Sequence, residues 1–298
     1  MRYLITGARG FIGRRLVTML PERDRSAELT CVGREVDLTD RARALALFRD
    51  AGPVDYVIHL ADVSGNADWA VANAVPQFLA NCLMTAHVIE GWTQHQPGAR
   101  LIGMSSLWAY PEQVSVAEED RYWEGRLHRA TEHYGLTKKL LGAGIGAAFR
   151  QAGARGTMLV LGSVYGPGDA SGHLIPSLIR RMREHPERLQ IQGDGMATRD
   201  FIFIDDQIEA ILRHLDFDGE LLNIGSGVTH CVRDVVDTLV RLMSYRGEVV
   251  YDPATASGVK GCRIDVSRAN AMSGWPTNFA LHSLSAGLAK TLAASKLV

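Results

Sequence analysis

A glycine-rich turn near the start of the chain constrains the fold more than any other feature. The aliphatic run Tyr3–Thr6 predicts a first strand, and residues 6–13 (TGARGFIG) join it to a helix predicted over Phe11–Met19. Such glycines let the backbone approach a pyrophosphate, to which the helix N-terminus offers amides and partial positive charge. A purely structural turn would use similar glycines, but the position at the first strand-helix junction favours a dinucleotide site. The residues predicted to form it are Gly7, Arg9, Gly10, Phe11, Ile12 and Gly13.

Short aliphatic runs alternate with helical periodicity, which predicts an α/β fold: a Rossmann-type doubly wound parallel sheet with a smaller C-terminal substrate-binding lobe. Further strands are predicted at 29–32, 54–60, 101–105, 157–161, 201–204 and 221–224. Helices are predicted at 75–92, 132–150, 175–184, beginning near Pro176, and 232–244, and the chain is expected to be irregular from 252 to 284. We assign residues 1–165 and about 200–227 to the dinucleotide-binding domain, and about 166–199 and 228–298 to the lobe.

Charge and composition exclude several classes of partner. The formal net charge is -1, so no long-range field attracts nucleic acid or an anionic membrane. No apolar run reaches the length of a membrane span, and the short apolar run before the glycine turn leads us to expect no signal peptide. The four cysteines lie far apart, which predicts neither a metal site nor a disulfide framework and favours reduced thiols in the cytoplasm.

The end of the second strand indicates which dinucleotide is bound. An acidic residue there would accept the ribose hydroxyls of NAD, but the sequence has Val32-Gly33-Arg34. Arg34 and Arg9 could pair with the additional phosphate of NADP, so the sequence favours NADP as the cofactor. NAD is the alternative if both arginines are solvated surface charges. Asp37, followed by Leu38, is placed either to meet the adenine edge or to cap the next helix.

A tyrosine and a lysine at i and i+4 form the candidate proton-transfer pair. Tyr134 and Lys138 lie on one face of a predicted helix. A free phenol has a pKa near 10, and a neighbouring ammonium is expected to lower that pKa. Ser105 and Ser106 end the fourth strand, where a hydroxyl can polarise a reacting carbonyl. The pair alone is a weak signal, because both residue types are common on helix surfaces.

Taken together, these features resemble the extended short-chain dehydrogenase/reductase (NAD-dependent epimerase/dehydratase) family, and within it the NDP-sugar epimerases, dehydratases and 4-ketoreductases. The matching segments are TGARGFIG at 6–13, VIHLAD at 57–62, Asn81, MSSLWAY at 104–110, YGLTK at 134–138, VYGPGD at 164–169, GDGMATRDFIFIDD at 193–206 and NIGSG at 223–227. The segment RDFIFIDD is the most specific, because it belongs to the sugar-nucleotide subset.

The resemblance implies roles for individual residues. Ser106 would be the catalytic hydroxyl, Tyr134 the general acid/base, and Lys138 its pKa partner and ribose anchor. Arg199 would clamp the substrate pyrophosphate, unless it forms a structural ion pair with Asp200 or Asp205. The remaining implied contacts are Leu60 and Ala61 to the cofactor, and Ser163, Val164, Lys260 and Arg263 to the substrate.

Departures from the family pattern reduce the number of candidate reactions. Leu107 and Trp108 stand where the dehydratases carry an Asp-Glu pair, so dehydration is disfavoured. The pattern is closest to the GDP-fucose synthase-like and 4-ketoreductase branch, with Tyr110-Pro111 and His173 in common, but Trp108 replaces the cysteine used there in epimerisation. His173 would be a proton donor or a loop residue capping the next helix. Trp108 would stack on the ligand or fill the core, and Ser105 is a further accessory residue.

The resemblance therefore implies an NADPH-dependent reductase that acts on a 4-keto group of an NDP-(deoxy)sugar. One alternative is an NAD-dependent C4 epimerase of NDP-sugars, and an alternative of another class is a non-catalytic dinucleotide-binding regulator. The three residues Ser106, Tyr134 and Lys138 argue against the regulator. A homodimer formed through the helices at 80–92 and 132–150 is also implied by the resemblance.

Overall fold

A six-stranded parallel sheet forms the centre of the molecule. The computed structural model describes residues 1–170, 172–255 and 261–294. The sheet consists of β1 (Arg2–Thr6), β2 (Glu28–Val32), β3 (Tyr56–His59), β4 (Arg100–Ser106), β6 (Gly156–Leu161) and β11 (Leu221–Asn223). Their spatial order is β11-β6-β4-β3-β1-β2, with every neighbouring pair parallel. The predicted α/β fold of Rossmann type is confirmed.

The remaining strands form short pairs outside this sheet. They are β5 (Val116–Ala117), β7 (Ser163–Tyr165), β8 (Arg188–Gln192), β9 (Thr198–Arg199), β10 (Phe201–Phe203), β12 (His230–Cys231), β13 (Glu248–Asp252) and β14 (Arg263–Ile264). The pairings are β10 with β7, β12 with β9, β13 with β8, and β14 with β5. Several of these pairs join segments that are far apart in the chain, such as β14 with β5 and β13 with β8.

The helices connect the strands and cover the sheet. They are α1 (Phe11–Arg23), α2 (Arg41–Asp50), α3 (Ala67–Ala72), α4 (Ala74–His95), α5 (Glu132–Ala152), α6 (Leu174–Glu184), α7 (Ile204–Arg213), α8 (Val232–Met243), α9 (Ser267–Ser273) and α10 (Leu284–Ala294). Short 3-10 turns occupy Leu107–Ala109 and Glu119–Arg121. No helix of the described part of the chain combines the length and apolar character needed to cross a bilayer.

Each face of the sheet has its own hydrophobic core. Successive side chains of a strand point to opposite faces, so neighbours in β1 enter different clusters. Leu4 lies in the cluster that contains Val88 of α4, while Ile5 lies in the cluster with Leu16 of α1 and Ile208 of α7. Strand β3 is buried along its whole length, as expected of a parallel strand covered on both faces.

Some of the sequence-based boundaries are wrong. The strand predicted over 201–204 ends at Phe203, and Ile204 begins α7, whose first turn carries Asp205 and Asp206. Carboxylates near a helix N-terminus are stabilised by its partial positive charge, which favours the earlier start. Pro176 is the third residue of α6 rather than its start, a position where the missing N–H has no intrahelical partner to lose. The segment expected to be irregular from 252 to 284 contains β14 and α9.

Candidate active site

The glycine turn is packed directly against the end of β3. Gly7 has a φ of +69°, and a Cβ at this position would lie 2.5 Å from the Ala61 backbone nitrogen. A side chain would therefore be both strained and in collision, which explains the glycine. The turn approaches the Leu60–Ala61 segment without any intervening side chain, so the predicted cofactor residues Gly7, Leu60 and Ala61 come together.

The first turn of α1 leaves its amide groups available. Gly10 is the N-cap residue and has no side chain to cap the helix, and no acidic residue lies in the first turn. Phe11 and Ile12 are half-buried and Gly13 is buried. An unneutralised helix N-terminus beside a glycine turn suits a pyrophosphate, so these residues fit a dinucleotide.

A carboxylate that sequence reasoning overlooked lies beside the predicted phosphate arginines. Glu35 Oε1 accepts a hydrogen bond from the Gly33 N–H at 2.9 Å and lies 3.2 Å from Arg9 Nη2. Arg9 and Arg34 are both exposed. Glu35 is only three residues beyond the end of β2, and its acidic side chain was the signal available in the sequence.

Asp37 does not cap the following helix. Its Oδ1 accepts hydrogen bonds from the Thr39 N–H and hydroxyl, at 2.9 and 2.7 Å. The N-cap of α2 is Asp40, whose side chain accepts from the Arg43 N–H. Asp37 thus shapes the loop before the helix, and the capping alternative is wrong. Leu38 is buried, and its carbonyl oxygen lies 2.9 Å from His87 Nδ1.

Tyr134 and Lys138 meet a third group, the carboxylate of Asp62. The Tyr134 hydroxyl donates to Asp62 Oδ2 at 3.1 Å, and Lys138 Nζ donates to Asp62 Oδ1 at 3.0 Å. Lys138 Nζ lies 5.1 Å from the centre of the Tyr134 ring. Asp62 directly follows Ala61, against which Gly7 packs, so the tyrosine hydroxyl lies beside the glycine crevice.

The expected acidic phenol is not what the structure shows. Burial raises the pKa of Tyr134 well above its ordinary value, and the negative charge of Asp62 and the hydrogen bond to it raise this pKa further. The ammonium is present as predicted, but it is paired with Asp62. Sequence reasoning included Asp62 in a family motif without assigning it a role, and the motif carried no sign of its two partners.

The two serines at the end of β4 have separate environments. Ser105 is buried, and its Oγ lies 2.7 Å from the Tyr122 hydroxyl. Ser106 is half-buried, and its Oγ accepts from the Trp108 N–H at 3.3 Å. Because adjacent strand residues face opposite sides, only one of the two can face the crevice. The structure gives no support to the accessory role predicted for Ser105, since its hydroxyl is engaged in the core.

A second glycine brings Ser106 close to Tyr134. Gly135 follows Tyr134 in the first turn of α5, and a Cβ there would lie 2.5 Å from the Trp108 carbonyl oxygen. The helix N-terminus therefore packs without a gap on the turn Leu107–Ala109, which begins directly after Ser106. The predicted hydroxyl and phenol thus lie on two segments in direct contact.

Arg199 makes no ion pair with either of the aspartates considered as structural partners. The Asp200 carboxylate accepts from the Ser226 and Gly227 amides, at 2.9 and 2.8 Å. Asp205 pairs with Arg15 of α1 at 2.5 Å. Arg199 instead donates to the Thr198 carbonyl oxygen at 2.7 Å.

The surroundings of Arg199 suit an anion. Its guanidinium carbon lies 5.5 Å from the centre of the half-buried Trp108 ring, so Trp108 is not a core filler. Burial lowers the pKa of Arg199. Within the described ranges no carboxylate lies at ion-pair distance from it. A partly buried guanidinium without a counter-ion can gain an anionic partner, because pairing would compensate its desolvation.

The other residues predicted to contact the substrate lie in different parts of the molecule. Ser163 pairs with Phe201 across β7 and β10, and its N–H donates to the Asp200 carbonyl oxygen at 2.6 Å, so Ser163 and Val164 lie beside the Arg199 segment. Arg263 begins β14 and is exposed, with a carboxylate oxygen of Asp265 at 3.9 Å. Lys260 lies outside the described residues.

His173 directly precedes α6, one of the elements that border a cavity. His173 is the N-cap residue of α6, the position that the loop alternative predicted, and its backbone carbonyl oxygen accepts from the Ser177 N–H at 3.0 Å, although its side chain makes no capping hydrogen bond. A cavity of about 300 Å³ lies between the loop 166–169, α6 and α10. Among the predicted site residues that the structure describes, none lines this cavity.

The fold and this geometry define a class of protein: a dinucleotide-binding α/β enzyme with a Tyr-Lys pair beside its glycine turn. The profile of the NAD dependent epimerase/dehydratase family matches residues 3–225. The chain belongs to this family.

Curated relatives align with most of the chain. The GDP-L-fucose synthase of Sinorhizobium fredii is 28% identical, over 97% of this chain and 94% of the relative. The dTDP-4-dehydro-6-deoxy-D-allose reductase of Streptomyces bikiniensis is 26% identical, over 89% of this chain and 88% of the relative. Among solved structures, the GDP-mannoheptose C4 reductase from Campylobacter jejuni with NADP bound is 20% identical, with a TM-score of 0.87 over 99% of this chain and 98% of that one. The structural likeness shows the shared fold.

Proposed function

We propose that this protein uses NADPH to reduce a 4-keto group on a nucleotide-linked deoxysugar. The observation that carries the proposal is the contact between Tyr134, Lys138 and the segment that packs on the glycine turn. With a dinucleotide on the glycine turn, the Tyr134 hydroxyl would be the proton donor beside its nicotinamide end. The curated relatives support the reaction class, since one is named as a reductase of a 4-dehydro sugar.

The cofactor residues fit a nicotinamide dinucleotide. The glycine turn and the free amides of α1 suit its pyrophosphate, and Lys138 suits the ribose next to the nicotinamide. Arg9 and Arg34 suit the additional phosphate of NADP, although Glu35 competes for Arg9. NADPH, when bound, supplies the hydride. The C4 reductase of similar fold was solved with NADP bound, which supports this choice.

The proton chemistry belongs to the side chains of the chain itself. Tyr134 donates its proton to the oxygen of the keto group as negative charge develops there. Ser106 donates a hydrogen bond to the same oxygen, and Lys138 stabilises the phenolate that Tyr134 becomes. Donors oriented before the reaction stabilise charge that appears only in the transition state.

Arg199 is the proposed anchor of the substrate. A guanidinium without a carboxylate partner can bind a diphosphate through paired hydrogen bonds. Trp108, which lies against Arg199, supplies an apolar surface beside it. Ser163 and Val164 lie next to the same segment. The proposed substrate lobe comprises about 166–199 and 228–298, the division that the sequence pattern predicts.

The proposal is tested by assaying NADPH oxidation with a panel of GDP- and dTDP-linked 4-keto-6-deoxysugars. We expect activity with at least one of them, and a loss of about a hundredfold or more in kcat for Tyr134→Phe. Tyr245→Phe is the matched control, because its hydroxyl contacts the His185 carbonyl oxygen far from the site, and this variant should retain activity. Interconversion of C4 epimers without NADPH consumption would establish the epimerase instead. Dinucleotide binding without any turnover would support the regulator.

We further propose that the enzyme is a cytoplasmic homodimer. Its four cysteines are free thiols, as a reducing compartment maintains them. Large apolar side chains are exposed along α4 and α5, which pack against each other. Covering these side chains with a second copy would remove them from water.

A further inference from the structure

Asp62 is a partly buried charged group for which the proposed reaction has no role. Its side chain is 19% exposed and that of Lys138 is 12% exposed. Each carboxylate oxygen serves a different partner: Oδ1 accepts from Lys138 Nζ and Oδ2 accepts from the Tyr134 hydroxyl. The two residues proposed to control the proton are therefore joined by one carboxylate.

The backbone holds Asp62 in this position. It follows Ala61, whose backbone is in close contact with Gly7, so the chain here has little room to shift. Tyr134 and Lys138 are one turn apart on α5, which places both donors towards the same carboxylate. An ionised carboxylate offers only acceptors, so the hydrogen of this bond belongs to the phenol.

We propose that Asp62 is a positioning residue, which fixes Lys138 Nζ and Tyr134 Oη relative to each other and keeps Tyr134 in its protonated form. The kinetic part of this inference rests on the proposed reductase function. The geometric and protonation part does not depend on it.

The charges that face Tyr134 come from several elements. Asp62 follows β3, Lys138 lies on α5, and Tyr122 follows the 3-10 turn Glu119–Arg121. His59, at the end of β3, faces Asp62 and Lys138, and burial lowers its pKa to about 4, so it is neutral near pH 7. Burial and Asp62 both raise the pKa of Tyr134. The Lys138 ammonium, 5.1 Å from the centre of the Tyr134 ring, is the cation that would attract the phenolate when it forms.

The protonated form is the one that ketone reduction requires. The carbonyl carbon gains a hydride from NADPH, the carbonyl oxygen gains the Tyr134 proton, and the phenolate that remains takes a proton from solvent. The Asp62 charge opposes the phenolate and so favours its return to the phenol. Asp62 therefore extends to higher pH the range in which Tyr134 is ready to donate.

A turnover-free titration tests the protonation state directly. The chain has eight tyrosines, which can be labelled with carbon-13 at Cζ, and the Tyr134 resonance is assigned with Tyr134→Phe. In the wild type we expect this resonance to keep its phenol position at the highest pH at which circular dichroism shows an intact fold. In Asp62→Asn, which keeps the shape and removes the charge, we expect ionisation to begin at least about one pH unit lower. Coincident curves, or no ionisation in either protein, would overturn the proposal.

The kinetic test uses kcat/KM for NADPH-dependent reduction as a function of pH. The alkaline limb should shift to lower pH in Asp62→Asn, whereas a purely structural contact would lower the plateau and leave the limb in place. Asp216→Asn is the matched control, because Asp216 accepts a hydrogen bond from another tyrosine, Tyr56, at 2.5 Å and lies outside the site. Its profile should match the wild type. If no substrate is reduced at all, the proposed function fails, and the titration still decides the role of Asp62.

Discussion

At the entrance to the glycine turn, Arg9 and Glu35 form an exposed ion pair in which Glu35 also accepts the Gly33 N–H. We expect Glu35→Gln to tighten NADPH binding. The variant frees Arg9 to pair with the additional phosphate of NADPH, and it removes a negative charge that repels this phosphate. The gain should be only about threefold, because exposed ion pairs are weak. Fluorescence titration of NADPH at low ionic strength measures this change.

NADH provides the control for this prediction, since it lacks the additional phosphate. Its affinity should be the same for the wild type and Glu35→Gln. The gain for NADPH should also shrink as salt is added, because exposed charges are screened. Unchanged or weaker NADPH binding in the variant would show that Glu35 does not compete for this site.

His59 links the site to stability in acid. Its Nδ1 lies 2.7 Å from Thr6 Oγ1, and burial lowers its pKa from 6.5 to about 4. The unfolded chain binds this proton below about pH 6.5 and the folded chain does so only near pH 4. The contribution of neutral His59 to the free energy of unfolding is therefore complete above pH 6.5 and is lost as the pH falls from 6.5 towards 4.

We expect the free energy of unfolding to fall by up to about 3 kcal/mol between these two pH values from His59 alone. Urea unfolding over this pH range measures the slope. His59→Asn, which retains an acceptor for Thr6, should flatten the slope. His185→Asn, at an exposed position, should leave the slope unchanged. An equal slope in wild type and His59→Asn would rule out this assignment.

At the scale of elements, the N-terminus of α5 depends on Gly135. A methyl group there would meet the Trp108 carbonyl oxygen, and displacing the helix would separate Tyr134 from the turn that carries Ser106. We expect Gly135→Ala to lower kcat by roughly tenfold or more, because small displacements of catalytic groups are costly. NADPH affinity should change less than kcat, since the proposed contacts to the pyrophosphate lie on the glycine turn and only the ribose contact of Lys138 lies on α5. Steady-state kinetics and a binding titration measure the two effects.

Gly146→Ala on the same helix is the matched control. The nearest atom to a Cβ at this position is Arg150 Nη1, the end of a flexible side chain, at 3.2 Å. Alanine also favours the helix over glycine. Normal kcat in Gly135→Ala would mean that the contact with Trp108 does not position Tyr134.

At the scale of the whole molecule, the exposed apolar face of α4 and α5 is the proposed dimer surface. Its members are Val75, Leu79, Leu83, Leu136 and Leu140, exposed by 68%, 53%, 45%, 48% and 41%. The four-residue spacing within each helix places them on one side of that helix. Each helix therefore exposes an apolar stripe, and because α4 packs against α5, a second copy could bury both stripes.

We expect the wild type to sediment as a dimer and Leu79→Glu to sediment as a monomer, because the carboxylate would be buried without a partner. Phe149→Glu is the control. Phe149 is 60% exposed, but it lies about two and a half helical turns beyond Leu140 and so faces the opposite side of α5. This variant should therefore remain dimeric. A wild type that is monomeric at micromolar concentration would end the dimer proposal.

The sequence alone determined the order of the main strands and helices, the glycine turn and the alignment of Tyr134 with Lys138. These features depend on local periods of two and 3.6 residues and on backbone conformations that only glycine readily adopts, so they can be recognised in short segments. Boundaries such as Ile204 were less accurate, because neighbouring aliphatic residues suit a strand and a helix alike.

The tertiary structure alone decided which charges meet. Asp62 reaches Tyr134 across 72 residues of sequence, and Asp205 pairs with Arg15 rather than with Arg199. The direction in which the pKa of Tyr134 is shifted depends on burial and on this carboxylate, not on the spacing to Lys138. Electrostatic effects depend on distance and desolvation in space, and neither quantity is set by separation along the chain.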